Sequence, residues 1–577
     1  MDITPGRAAA PARTLPPWTR QRIGLAALAA TAVVLVIAGW REIGMGVLPL
    51  FTGIGHIFQF VGQTVPPDFS NFAHTVNLAL ITVCMAIIGT ALAMVMAIPV
   101  GFMAARNTTV HPIARWVARA IIVICRAVPD LVFAIVFVEA LGIGVLPGVL
   151  ALGLHSVGML GKLYAEAVEQ IQPEPREAVT ATGAGRLQNL ATSVVPQILP
   201  SFSSITLYRL DINLRSSVVL GYVGAGGIGF LLNQDMGVLQ FRRAIGIVIV
   251  IFVLIVVMEV ISAIIRRSLI GTETPVTSAG LGRRPAFGDR IIGAFGRSRR
   301  APAAARPAPA RDIAAFDRER VRPPWTRERQ LRFSFAAGAL VALAVSLVVT
   351  RINPLQVFTS AGQIWHTLTL YFPPDFSTDR SGLVSGTLQS ASVAIVATAI
   401  GFLLAVPVGL LAARNVADRW AYRCARGFLV LVRAVPELIL AIVFVVAVGL
   451  GLVAGTFALI VGTIGFMSKL VADGIEEVDP RPREAVLSAG ASRLQETATS
   501  VLRPAAPALV GNSLYMLDVN FRSSTVLGIV GGGGIGFLLQ QSVQVLAYRT
   551  TGAIIIATFC VVLLIEVITN WVRKHLI

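Results

Sequence analysis

The chain has 577 residues, of which 55% are hydrophobic and 14% charged, and its 48 Lys and Arg against 30 Asp and Glu give a net charge of +18. Soluble domains carry roughly a quarter charged residues, so this composition and a mean hydropathy of +0.76 exclude an ordinary soluble enzyme. The apolar blocks reach the ~20 residues that cross a bilayer as helix, and in lipid the backbone must be satisfied within each segment. The fold class is therefore an all-α polytopic protein of the lipid bilayer.

Residues 1–22 are a tail with Arg7, Arg13, Arg20 and Arg22 ahead of an apolar run. No small-residue cleavage site convincingly follows, so 23–40 is a retained first helix, not a removed signal peptide. Further membrane helices are predicted at 75–104, 120–143, 147–167, 197–220 and 244–265, the 147–167 segment being the weakest because it carries His155, Ser156 and Lys162. Residues 266–332 hold sixteen Arg against six Asp or Glu and include the run APAAARPAPAR. That composition is a flexible tether, and with about +10 of the net charge confined to it, a nucleic-acid partner is not expected. Helices at 333–350, 384–412, 427–449, 452–471, 505–527 and 551–571 bring the total to about twelve. Cys84, Cys125, Cys424 and Cys560 lie in or near apolar blocks without metal-ligand spacing, so neither a metal site nor a disulfide framework is predicted.

The second half repeats the first. Residues 211–230 read DINLRSSVVLGYVGAGGIGF and 518–537 read DVNFRSSTVLGIVGGGGIGF, with fifteen of twenty positions identical at an offset of 307. The same offset relates PPWT at 16–19 and 323–326, PPDF at 66–69 and 373–376, and PREAV within 173–179 and 480–486, with 308 around Pro99 and Pro407. A period this long is a duplicated domain. Two repeats, 23–265 and 333–577, each with six helices, share one orientation and are related by an axis along the membrane normal. Arg and Lys gather on cytoplasmic loops. That rule predicts both termini, the 266–332 linker, the 173–195 segment and the loop with Arg106, Arg115 and Arg119 on the cytoplasmic side. Arg242 and Arg243 are exceptions, on the outer side.

Four repeated motifs carry the functional expectations. In EQIQPEPREAVTATG at 169–183, matched at 476–490, two prolines break the preceding helix. A short helix then begins around Glu177-Ala178 and Glu484-Ala485 and stops at Gly183 and Gly490. It lies across the membrane face, either as a plug for a groove on a cytosolic partner or as an ordinary loop helix. The glycines Gly224, Gly226, Gly227 and Gly229, and Gly531, Gly533, Gly534 and Gly536, disfavour a lipid-facing helix. They mark a broken or re-entrant segment, close helix packing, or both. Asp211, Asn213, Arg215, Ser216 and Ser217, with Asp518, Asn520, Arg522, Ser523 and Ser524, lie near the outer end of a membrane helix. They are either donors to a passing oxyanion along a translocation path or a structural Asp–Arg pair at i, i+4. Arg126, Pro129 and Asp130, with Arg433, Pro436 and Glu437, place a kink and an acid near a helix entrance, as part of an inner gate or as a plain helix start, and Glu259 and Glu566 read as interfacial charges.

The Glu177-Ala178…Gly183 and Glu484-Ala485…Gly490 elements resemble the EAA loop of bacterial ABC-importer permeases. The motif's later proline is matched by Pro196, whereas the second half has Arg503 there and Pro504 one residue on. The Asp211 and Asp518 motifs resemble the C-terminal signature of phosphonate-type permeases, which usually carry Glu at that first position. The resemblance covers roughly 70–265 and 380–571 and implies a type I importer permease with both copies fused in one chain. It further implies a bacterial plasma-membrane location, two copies of a cytoplasmic ABC ATPase docked on the coupling helices, and an extracytoplasmic phosphonate-binding protein. ATP and Mg would be bound by the ATPases. The chain itself has no cofactor and no G-x-x-x-x-G-K-[ST] loop, since Gly161-Lys162 lacks both the earlier glycine and the following Ser or Thr. The alternative is an ion-coupled secondary transporter built from two fused repeats, which needs ionisable residues in mid-membrane.

Overall fold

A computed structural model describes residues 20–44, 55, 62, 64–270, 327–353 and 355–576. Most of the 1–22 tail, most of the 266–332 linker and both PPWT motifs lie outside the described residues. The first half contains α1 (Arg20–Ile43), α2 (Phe72–Ala104), α3 (Pro112–Ala127), α4 (Asp130–Leu141), α5 (Val145–Glu169), α6 (Pro173–Ala181), α7 (Val195–Leu220), α8 (Gly227–Gly237) and α9 (Phe241–Ile270). The second contains α10 (Arg327–Thr350), α11 (Ala361–Leu370), α12 (Arg380–Ala412), α13 (Arg419–Ala434), α14 (Glu437–Val448), α15 (Leu452–Glu476), α16 (Pro480–Ser488), α17 (Arg503–Leu527), α18 (Gly534–Gln544) and α19 (Tyr548–Leu576). No strand occurs among the described residues. Nine described helices are long and apolar enough to cross a membrane, or up to 12 if each bent pair is one span.

The repeat is legible in the element bounds, with one refinement. The 308 offset is not confined to Pro99 and Pro407 but holds along all of α2 and α12, so that Thr82 corresponds to Ser390 and Thr90 to Thr398. The predicted spans 120–143 and 427–449 need correcting. Each is two helices, bent by 87° between α3 and α4 and by 85° between α13 and α14. Pro129 and Pro436 force the residue before them out of the helical region, and Val128 and Val435 are extended at φ −83, ψ 123 and φ −87, ψ 120.

The weakest predicted segment lies deepest in the bundle. In α5, 72% of the membrane-length window is buried, against 11% in α1 and 6% in α10. His155 and Ser156 face protein, not lipid, while Lys162 is half-exposed and pairs with Glu166 at 3.9 Å. Glycines let α2 and α12 approach the central helices: a Cβ at Gly101 would lie 2.8 Å from that of Tyr164, and one at Gly409 would lie 2.6 Å from Val471. Helix association in lipid relies on such close contacts. The first helix of each half packs on the other half, α1 against α12 and α10 against α2. Ile43 thereby joins the core around Val393 and Val396, and Leu343 and Leu347 cover the cluster containing Met85 and Ile88.

Both glycine readings are realised. After α7 the chain makes a wide turn at Gly221–Ala225, with Gly224 at φ +103 and Gly226 at φ +76, before restarting as α8. The turn is clasped by Gly144 N–H donating to Gly224 O at 3.1 Å, repeated by Gly451 to Gly531 at 2.8 Å. The restarted helix leaves Ile228 N–H without an intrahelical acceptor, and Thr82 Oγ1 accepts it at 2.9 Å. Ser390 Oγ does the same for Ile535 at 3.0 Å.

At the end of the bundle opposite α6 and α16, the PPDF loops fold onto the starts of α9 and α19. Asp68 N–H donates to Arg242 O, and Asp375 N–H to Arg549 O. Arg242 also donates to Pro66 O at 2.9 Å and Arg243 pairs with Asp68 at 3.3 Å. The two arginines that broke the charge pattern are thus structural staples. Hydrogen bonds from Ser70 to Asp68, and from Ser377 and Thr378 to Asp375, hold both carboxyls below the usual range.

A Cβ at Gly229 would sit 1.9 Å from Val218 O, and one at Gly536 2.0 Å from Thr525 O. Backbone cannot yield as a side chain does, so Gly229→Ala and Gly536→Ala each lose at least ~3 kcal/mol of stability, the upper range for overpacking. Thermal or denaturant unfolding of the purified variants, beside Gly237→Ala where a Cβ meets nothing within 4 Å, measures the difference.

Candidate functional site

Two regions, one on the surface and one between the halves, collect the singled-out residues. The surface region is α6 and α16, neither of which contains a buried residue. Glu177, Ala178, Glu484 and Ala485 are exposed. Gly183 and Gly490 end these segments at φ +78 and φ +83, the left-handed conformation that stops a helix. Each helix is tied to the base of the next long helix by its repeat-related neighbour. Asn189 donates to Arg176 O at 3.1 Å and to Thr180 Oγ1 at 2.6 Å, whereas in the second half Glu496 forms an ion pair with Arg483. Leu187 and Leu494 stand beside them 81% and 84% exposed, equivalent leucines turned outward at the same place.

From that base a nearly continuous helical path, Arg186–Ala225, runs into the bundle. It carries the second region. Asp211, Asn213 and Arg215 lie in the last ten residues of α7, just before the glycine turn, and Arg215 lies 3.7 Å from Glu259 of α9. Arg215 pairs with Asp211 at 3.3 Å, and Arg522 pairs with Asp518. Arg522 Nη1 also donates to Arg126 O across the halves at 3.2 Å. Arg126 reaches Glu566 at 2.9 Å and Arg433 reaches Glu259 at 3.9 Å, both between halves. The Asp130 and Glu437 carboxyls lie within this charged belt, Glu437 next to Ser523.

The belt is not symmetric. His155 Nδ1 donates to Val128 O, 3.1 Å away, the carbonyl that the α3–α4 break frees, and Arg209 donates to Ser156 Oγ at 2.8 Å. Gly462 and Met516 occupy the equivalent positions. Glu437 takes the space, since a Cβ at Gly462 would lie 3.3 Å from its side chain.

Asn213 and Asn520 depart from the path reading. Both are 0% exposed and join three helices within their own half. Asn213 donates to Thr90 Oγ1 at 2.9 Å and accepts from Ser156 at 3.0 Å. Asn520 donates to Thr398 and Thr463 at 2.8 and 2.9 Å. Ser217 and Ser524 are also turned inward, donating to Leu214 O and Phe521 O, while Ser216 and Ser523 are half-buried. Glu259 and Glu566, read as interfacial charges, prove to be the partners that join the halves; their common offset was the available signal. Arg209 has no repeat counterpart, and only its place in an apolar stretch two residues before Asp211 marked it.

The chain matches the family described as "Binding-protein-dependent transport system inner membrane component" twice, over residues 97–271 and 405–577. It is 45% identical over 529 residues to a phosphate-import permease protein of Mycolicibacterium smegmatis, an alignment covering 92% of this chain and 90% of that protein. It is 41% identical over 250 residues to a phosphite transport system permease protein of Stutzerimonas stutzeri, covering 43% of this chain and 90% of that protein, so that relative has the length of one half.

Removing one member of a buried ion pair strands the other. Arg215→Gln strands Asp211 and leaves Glu259 only its 3.9 Å contact to Arg433, lowering stability by about 3 kcal/mol, the range for such losses. Asp211→Asn in the same chain recovers most of the loss but not all, because Glu259 still lacks its nearer cation. Unfolding of the two variants and the parent in one detergent checks both the loss and the partial recovery.

Proposed function

Because the chain belongs to the family of binding-protein-dependent transport inner-membrane components, with one copy of the family domain in each half, we propose that this fused permease imports a tetrahedral phosphorus oxyanion. Phosphate and phosphite, named for the relatives, and phosphonate share a phosphoryl group with several acceptor oxygens, which arginine binds in a bidentate way. The observation that carries the reading is mechanical. Each exposed short helix, α6 or α16, is fastened by residue 189 or 496 to the base of a helix that carries Arg215 or Arg522 at the junction of the halves.

In this reading two copies of a cytoplasmic ATPase dock on α6 and α16 around Glu177, Ala178 and Gly183, and Glu484, Ala485 and Gly490. ATP and Mg belong to those partners. A binding protein delivers the anion to the PPDF end of the bundle, and both chain termini lie on the ATPase side. Closure of the ATPases draws the two short helices together and swings the arginine-bearing helices relative to each other. Arg215, Ser216, Arg522 and Ser523 line the path, with Asp211 and Asp518 offsetting the arginines. Arg126, Asp130, Arg433 and Glu437 control its opening. The chain carries transport, not catalysis.

Reconstitution of the permease with its ATPase and binding protein tests the reading: phosphate, phosphite or a phosphonate added with the binding protein stimulates ATP hydrolysis and is accumulated. Glu177→Ala and Glu484→Ala alter exposed residues, so permease stability changes by less than about 0.5 kcal/mol. Loss of ~1.4 kcal/mol of docking free energy per helix weakens ATPase association about tenfold. Co-purification and coupled uptake measure the second effect, and unfolding of the isolated permease measures the first.

A further inference from the structure

The pseudo-symmetry that relates Arg126 to Arg433 also relates Glu259 to Glu566. Each arginine reaches not its own half's glutamate but the other's, Arg126 to Glu566 at 2.9 Å and Arg433 to Glu259 at 3.9 Å. We propose that these crossed ion pairs are the closed form of an exchange site, in which the travelling phosphorus oxyanion takes the place of the Glu259 and Glu566 carboxylates on Arg126 and Arg433. The proposal rests on the reading of the chain as a permease for such anions.

Three observations converge on exchange and not on a fixed strut. The first is unspent donor capacity. The Nε atoms of Arg126, Arg433 and Arg215 are buried and lack a hydrogen-bond partner. A buried idle donor is costly; two of these belong to arginines that share Glu259 and the third to the arginine on Glu566, so the carboxylates leave part of each guanidinium's donor capacity unused. A tetrahedral oxyanion presents more acceptor oxygens than a carboxylate and would engage both edges of a guanidinium.

The second is charge. Arg126, Arg209, Arg215, Arg433 and Arg522 face six carboxylates, those of Asp130, Asp211, Glu259, Glu437, Asp518 and Glu566. The belt therefore has no spare positive charge for an incoming dianion. Withdrawal of the two glutamates leaves five arginines against four carboxylates, and one anion entering then replaces what left.

The third is mechanical coupling. Glu259 and Glu566 stand on α9 and α19, the last helices of their halves, while Arg126 and Arg433 stand at the ends of α3 and α13, next to the bends at Pro129 and Pro436. Arg573, about two turns beyond Glu566, donates to Gly511 O on α17 at 2.9 Å, so the glutamate travels with its own half. Any rotation that parts the halves opens both crossed pairs together and presents both arginines at once.

The full chain in lipid nanodiscs, titrated with inorganic phosphate, tests the exchange directly. In Glu259→Gln/Glu566→Gln the arginines remain and the competing charges are gone, so phosphate binding tightens about fivefold or more over the parent chain. Equal or weaker binding in the variant, or no binding in either, overturns the proposal. Should the double change fail to give a monodisperse chain, Glu566→Gln alone carries the same comparison with about a twofold gain. The charge-swapped Arg126→Glu/Glu566→Arg supplies the opposite readout. It restores an ion pair between the halves and keeps ATPase docking, but uptake falls about tenfold because the arginine now moves with the wrong half. Uptake at the parental level in that variant makes the pair a strut and overturns the exchange. Failure of the underlying reading looks different: the unaltered complex then accumulates no phosphorus oxyanion at all.

Discussion

The amide of Ile228 has no carbonyl to meet, because the chain has just broken at Gly224 and restarted as a helix inside the bundle. In hydrocarbon an unmet backbone group costs several kcal/mol and water is not there to help. The rest of the architecture can be traced from that constraint. Thr82 and Ser390 stand on α2 and α12 to accept these amides, which fixes the depth of the long helices against the broken ones. Gly144 and Gly451 clasp the same turn from the other side, which fixes the start of α5 and α15. Where α3 ends at Pro129, the freed Val128 carbonyl is met by His155, and Arg126 O is met by Arg522 from the other half. Irregular backbone is tolerated at each of these breaks because a named side chain attends it.

The duplicated scaffold leaves room for the halves to diverge once the shared stitches are made. Asn213 and Asn520 join equivalent helices through Thr90 and Ser156 or Thr398 and Thr463, and that part of the design is conserved between halves. Beside it, the first half holds His155 and Arg209 where the second holds Gly462 and Met516. Arg209 is 5% exposed and sits near Asp130 of the belt. The junction is consequently a two-fold frame with an uneven distribution of charge, something a pair of identical subunits cannot adopt. Fusion of the two domains into one chain permits it.

Exchange of the first helices binds the halves in another way. α1 and α10 are the least buried spans and face mostly lipid, yet each packs on its partner half. Their contacts are apolar and peripheral, Ile43 against Val393 and Val396 among them, while the other contacts between the halves combine ion pairs with apolar packing such as Ala127 against Phe521 and Val562. Apolar surface slides against lipid-like neighbours at little cost, since in a bilayer it gains little from leaving them. Charged pairs have discrete on and off states. The division places a compliant contact outside and a switch-like one inside.

Much of this was legible from the sequence, for physical reasons. Hydropathy alone specified about twelve apolar segments, because a bilayer demands both length and composition from each span. The 307-residue repeat specified two like-oriented halves, and the PREAV and glycine motifs specified a short surface helix and a broken one, because proline and glycine act locally on the backbone. Within the spans 120–143 and 427–449 the prolines announced a kink, but the 87° and 85° angles that make each span two helices depend on what packs against either arm. Asn213 was read as a path residue because a polar group in a membrane helix looks the same from sequence whether it faces a cavity or two threonines. Tertiary structure alone decided that Arg126 meets Glu566 and Arg433 meets Glu259. Those partners lie 440 and 174 residues apart (566 − 126 and 433 − 259), and an ion pair leaves no periodicity or spacing in the chain, only a distance in the folded molecule.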